Sequence, residues 1–187
     1  MTLSFQELVA LDEQGLEAVL TQISESLLAR GWMLATAESC TGGMIAAACT
    51  DLSGSSQWFE RGFVSYSNAA KTDLLGVPAM LILLHGAVSE PVARAMATGA
   101  VLRSQAQVTI AVTGVAGPGG GTESKPVGLV YVALSHGQDV WLRELRPHGR
   151  YLGREWTRRL ASSHALDMLR RRLAGLDVEA LWTVAAL

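Results

Sequence analysis

Six residues, Glu38-Ser39-Cys40-Thr41-Gly42-Gly43, join a short apolar run to a helical one, and this junction constrains the fold more than any other feature of the chain. Met33 to Ala37 reads as a buried strand, and Met44 to Asp51 as a helix. Upstream, Leu8, Leu11, Leu16, Val19, Leu20, Ile23, Leu27 and Leu28 fall mostly at three- and four-residue steps. That spacing is an amphipathic helix, and Gly31 suits its C-cap. Strand, small polar loop and helix in succession mark an α/β protein, in which ligands gather at the C-terminal ends of strands.

The remaining chain repeats the alternation. Phe59 to Tyr66 reads as a strand, and Ser67 or Asn68 caps a helix through Leu75 that Gly76 stops. Pro78 to Leu84 fits a helix or a buried strand. Ser89-Glu90-Pro91 opens a long helix to about Gln105, with Ser89 as N-cap and Pro91 in the first turn. Val108 to Thr113, Leu129 to Leu134 and Val140 to Leu145 read as strands, the last two joined by a hairpin connector from Ser135 to Asp139. Gly149 to Leu173 reads as an Arg-rich helix, and the apolar stretch Val178 to Leu187 could dock as a short one. The pattern predicts an α/β fold, a three-layer α/β/α sandwich with a mixed, partly parallel sheet.

Length and composition narrow the classes. At 187 residues with 49% apolar and 17% charged side chains, the chain suits one domain spanning residues 1–187 and is not disordered. A net charge of -2 argues against a general nucleic-acid binder. Leu74 to Leu84 is the longest apolar run; Gly76 and Pro78 interrupt it, and it falls short of the ~18 residues of a membrane span. Glu7, Asp12 and Glu13 precede any Lys or Arg, the wrong charge for a signal peptide, so a cytoplasmic location is expected. Cys40 and Cys49 cannot make a disulfide framework or, alone, a four-cysteine zinc site.

Four segments carry candidate chemistry. Ser39 at a strand-to-helix turn is either a nucleophile facing helix-end N–H groups or, like Thr41, a helix cap. Cys40 beside it is a rival nucleophile or a core thiol. The base is a histidine assembled in space (His85, His136, His148 or His164) or a lysine, and the chain has only Lys71 and Lys125. Lys71 follows Tyr66 by five residues, so a tyrosine hydroxyl could relay a proton between serine and lysine. Gly114 to Gly128 holds six glycines and two prolines: an anion-binding nest or a surface loop. Arg150 and Arg154, at i and i+4, share a helix face and could grip a phosphate or carboxylate.

Taken together and in order, AESCTGG (37–43), GSSQWFERGFVSYSNAAK (54–71), LLGV (74–77), HGAVSEPVA (85–93), TGVAGPGGG (113–121) and KPVGLVYVAL (125–134) resemble the CinA C-terminal domain family. Within it, the chain looks like the stand-alone members that act as nicotinamide-nucleotide amidohydrolases. The resemblance implies an α/β/α sandwich and hydrolysis of the carboxamide of nicotinamide mononucleotide to nicotinate mononucleotide and ammonia, with no metal or other cofactor. It implies Ser39 as nucleophile, assisted by Tyr66 and Lys71. Glu38, Cys40, Thr41, Gly42 and Gly43 would form one wall of the substrate pocket, and Thr113, Gly114, Ala116 and Gly117 the other. Arg150 and Arg154 match arginines near the last helix, although the family often has Gly-Asp-Arg where this chain has His148-Gly149-Arg150. A homo-oligomer is expected. The alternative function is a non-catalytic, nucleotide-sensing or competence-related domain using the same pocket, and an amidohydrolase acting on another amide is a further one.

Overall fold

Local signals start and stop the helices. The Asp12 carboxylate accepts the Gly15 N–H at 2.8 Å, which starts α1 (Glu13–Arg30), and Gly31, at φ 62°, ends it. Ser67 caps α3 (Asn68–Leu75) through the Ala70 N–H, and Gly76, at φ 67°, closes that helix. The computed structural model describes residues 12–146 and 153–180. Between and after these helices come β1 (Leu34–Glu38), α2 (Met44–Asp51), β2 (Phe59–Val64), α4 (Ala79–His85), α5 (Glu90–Leu102), β3 (Val108–Gly114), β4 (Val130–His136), β5 (Asp139–Leu145) and α6 (Arg154–Leu173).

The strands form one sheet in the order β2-β1-β3-β4-β5. β1 runs parallel to β2 and β3, whereas β3–β4 and β4–β5 are antiparallel, so the sheet is mixed as expected. Its two faces differ in size. Leu34, Val108, Ile110, Val112, Val132 and Leu134 pack with α1, α2 and α6. Ala37, Ala111 and Ala133 point the other way, against Ala93, Met96, Ala97 and Ala100 of α5. Small residues on both sides let α5 approach until the Thr109 hydroxyl donates to the Ala97 carbonyl at 2.8 Å. Gly99 extends this close packing to α3: a Cβ there would lie 1.9 Å from the Leu75 carbonyl oxygen. No helix among the described residues is long and apolar enough to cross a membrane.

Several boundaries differ from the sequence reading. Pro78 to Leu84 resolves as helix α4, while α5 stops at Leu102, after which the Ser104 hydroxyl turns back onto the Ala100 carbonyl. Ser89 holds the N-cap position, but its hydroxyl donates to the Gly86 carbonyl instead of capping α5. The β4–β5 pairing continues to His136 and Asp139, leaving only residues 137 and 138 as the hairpin turn. Helix α6 starts at Arg154, directly after Gly153, which has φ 106°. Leu8, Leu11, His148, Gly149 and Arg150, and most of the apolar C-terminal stretch, lie outside the described residues.

Candidate active site

The parallel strands β1, β2 and β3 end at one edge, with β1 between its two parallel neighbours. The crevice outside such carboxyl ends is where open α/β sheets place their sites. Alternation along β1 decides which side chains face where. Glu38 shares a face with Leu34 and turns under α2; Ser39 continues the Ala37 side, toward α3 and α5.

Ser39 is nearly buried and meets a lysine. Its Oγ lies 3.0 Å from Lys71 Nζ, brought across by α3, and its backbone N–H donates to the Val112 carbonyl at 3.0 Å. Lys71 is only 1% exposed. Its Nζ also faces the carbonyls of Ser65 at 2.9 Å and Tyr66 at 3.4 Å. Burial drives the Lys71 pKa below the ordinary lysine value. The ammonium form can donate to all three oxygens; in the neutral form two N–H groups serve the carbonyls and the lone pair can take the Ser39 hydroxyl proton. Among the described residues, the candidate base that meets Ser39 is therefore Lys71.

The loop after Ser39 is held from two sides. The Glu38 carboxylate accepts the N–H groups of Gly43 at 3.0 Å, Ile45 at 3.1 Å and Ala46 at 2.8 Å. Glu38 therefore occupies the N-terminus of α2, which the sequence reading had left open to a ligand; the carboxylate is a support for the loop and faces away from the Ser39 side of the strand. From α6, Arg158 Nη2 donates to the Thr41 carbonyl at 2.6 Å. Ser39 to Gly42 forms a turn closed by the Gly42 N–H on the Ser39 carbonyl at 3.1 Å. Inside it, the Cys40 and Thr41 N–H groups donate to no backbone carbonyl among the described residues. Gly42 and Gly43 hold φ 62° and 94°, which an L side chain rarely adopts.

The rival residues separate clearly. Cys40 belongs to the core, and burial pushes its thiol up to about 12, so it stays protonated at neutral pH. Tyr66 does not bridge serine and lysine. The residue is 62% exposed and its hydroxyl accepts from Arg154 Nη2 at 3.1 Å; the backbone carbonyl is what meets Lys71. Arg154 also donates to the Gly117 carbonyl at 3.0 Å, which ties the β2–α3 loop to the glycine-rich segment. In that segment the Thr113 hydroxyl donates to the Ala87 carbonyl and Ala116 is buried. Gly114 has no room for a Cβ, which would lie 2.7 Å from Val130 Cγ2 and 2.8 Å from the Leu129 carbonyl oxygen. Val115 and Gly128 pair with Leu129 and Val115, so the segment folds back on itself.

Two participants were not anticipated from sequence: Arg158 and the Ser65 carbonyl. Of the expected i, i+4 pair, Arg154 reaches the loops and Arg150 lies outside the described residues. Among the described residues, Arg154 and Arg158, at i and i+4 on α6, both reach the loops. A groove of about 610 Å³ lies among α1, α2 and α6 and contains neither Ser39 nor Lys71.

Residues 16–173 match the model of the CinA C-terminal domain. A CinA-like protein of Desulfovibrio desulfuricans is 62% identical over 168 residues, 90% of this chain but 39% of that protein. The chain thus spans about two fifths of the length of such relatives. The nicotinamide-nucleotide amidohydrolase PncC of Escherichia coli is 46% identical over 151 residues, 79% of this chain and 88% of that enzyme. The crystal structure of a competence/damage inducible protein from Agrobacterium tumefaciens superposes with a TM-score of 0.82 at 43% identity, covering 89% of this chain and 99% of that one.

Proposed function

The chain belongs to the CinA C-terminal domain family, and on that premise we propose that it hydrolyses the carboxamide of nicotinamide mononucleotide through a Ser39–Lys71 dyad. The observation that carries this reading is the 3.0 Å contact between Ser39 Oγ and a Lys71 amine that burial favours in its neutral form. Lys71 accepts the hydroxyl proton as Ser39 Oγ attacks the amide carbon. The oxyanion forms against the Cys40 N–H, the backbone donor next to the nucleophile. The Lys71 ammonium then returns the proton to the departing nitrogen and ammonia leaves. Water, deprotonated by the same lysine, cleaves the nicotinoyl ester and restores Ser39.

Tyr66 takes a different role from the expected relay. Its exposed ring, held by Arg154, stands beside the dyad as an aromatic wall for a flat heteroaromatic ring. Arg154 is the exposed guanidinium at that mouth and serves the substrate phosphate.

The test is ammonia release from nicotinamide mononucleotide, with Ser39→Ala in parallel. Stoichiometric nicotinate mononucleotide from the native chain and none from the variant is the expected result. Release that survives Ser39→Ala would sink the serine mechanism. Binding without turnover would favour the sensing alternative.

A further inference from the structure

We propose that Arg158 is a positioning residue that aims the Cys40 N–H at the reacting oxygen through two rigid peptide planes. The proposal rests on the Ser39 reading above, but not on the identity of the amide.

The mechanical chain starts at α6. Arg158 Nη2 donates to the Thr41 carbonyl at 2.6 Å, reaching across 117 residues of sequence. The Thr41 carbonyl and the Gly42 N–H belong to one planar peptide unit and point in opposite directions. Pulling the carbonyl toward α6 therefore turns the Gly42 N–H back, onto the Ser39 carbonyl at 3.1 Å. That carbonyl shares a second planar unit with the Cys40 N–H, again on opposite sides. With the Ser39 carbonyl fixed, the Cys40 N–H is fixed too, and it is the donor adjacent to the nucleophile.

Among the described residues, no other side chain does this for Thr41. Its own hydroxyl is buried without a hydrogen-bond partner, and the other donor to its carbonyl is the Met44 N–H, at 3.4 Å. Glu38 grips the loop only from Gly43 onward, on the helix side. Each bond in the chain also polarises the next, so the guanidinium charge strengthens the final donor.

The experiment uses the full chain and a small alkyl fluorophosphonate. Ser39 Oγ forms a bond to phosphorus, fluoride leaves, the serine proton passes to Lys71 Nζ, and the phosphoryl oxygen occupies the oxyanion position. Arg158→Met keeps the apolar stem and removes every donor; Arg158→Lys and Arg158→Gln each restore one. The inactivation rate of Arg158→Met should fall about 10- to 100-fold at every pH. Its pH midpoint, set by Lys71, should not move, and Arg158→Lys and Arg158→Gln should recover most of the loss. With nicotinamide mononucleotide, kcat should fall by a similar factor while KM stays within about threefold.

A rate for Arg158→Met within twofold of the native chain overturns the proposal. So does a shifted pH midpoint with an unchanged plateau, because Arg158 would then act on Lys71 by charge. If Arg158→Met does not fold, Arg158→Leu takes its place: a near-native rate overturns the proposal, and a loss that Arg158→Gln recovers supports it. Labelling that follows the proposal in a chain that leaves nicotinamide mononucleotide intact would remove the proposed substrate and leave the role of Arg158 standing.

Discussion

His164 makes the native state sensitive to mild acid, and the size of the effect can be worked out. The ring is fully buried in α6, with Nδ1 3.0 Å from Arg143 Nη1. A guanidinium only donates, so Nδ1 is the bare, accepting nitrogen of a neutral imidazole. Adding a proton there would break that bond and set a second cation beside Arg143, with Arg171 nearby and Asp167 only partly compensating. Burial first, and Arg143 second, lower the His164 pKa from 6.5 to about 3. The unfolded chain therefore takes up a proton that the folded chain refuses. Stability is complete above pH 6.5 and is lost progressively as pH falls toward 3. Between pH 7.5 and pH 5 the loss is about 2 kcal/mol, out of the 5–15 kcal/mol typical of a domain.

The assay is urea unfolding at pH 7.5 and pH 5.0 for the native chain and His164→Gln, whose amide can accept from Arg143 without titrating. The variant should lose about 2 kcal/mol less over this interval than the native chain, whatever its stability at pH 7.5. Burial raises the Asp167 pKa, but Arg143, Arg170 and Arg171 outweigh it and hold the carboxyl below its ordinary value, outside this window. His136, lowered by burial and by Arg172, is common to both proteins and cancels. Equal losses in the two proteins would refute the argument, as would an NMR titration showing the His164 ring protonating above pH 5 in the folded state.

Three further outcomes are expected. Lys71→Arg should lower kcat/KM by about 10²–10⁴-fold, because arginine keeps its proton; in the native chain kcat/KM should rise with pH through a midpoint below the ~10.4 of free lysine, and a flat profile from pH 6 to 10 would contradict the lysine base. Gly99→Ala should destabilise by about 3 kcal/mol or more, since its Cβ collides with the Leu75 carbonyl, and should lower kcat as well, because α3 also carries Lys71; thermal melts and turnover on the same preparation check both. Glu38→Ala strips three N–H groups of their acceptor and should cost about 2–3 kcal/mol in chemical denaturation, more than Glu38→Gln, which keeps one acceptor oxygen.

Much of the scaffold was legible because it depends on near neighbours. Asp12 and Gly31 bound α1, Ser67 and Gly76 bound α3, and period-two runs mark β3 and β4, all through contacts within a few residues. The strand–loop–helix around Ser39 marked the site, but the residues alone left the base open between histidine and lysine, and it was the family resemblance that paired Ser39 with Lys71. What sequence alone could not decide is where side chains go once strands lie side by side. Lys71 reaches Ser39 across 32 residues, because alanine faces and Gly99 let α5 and α3 approach the sheet. Arg154 takes the Tyr66 hydroxyl from 88 residues away, and Arg158 takes the Thr41 carbonyl from 117. Residue order carries the short periods that make helices and strands; the depth of a buried amine and the aim of a peptide N–H come from how closely those elements pack.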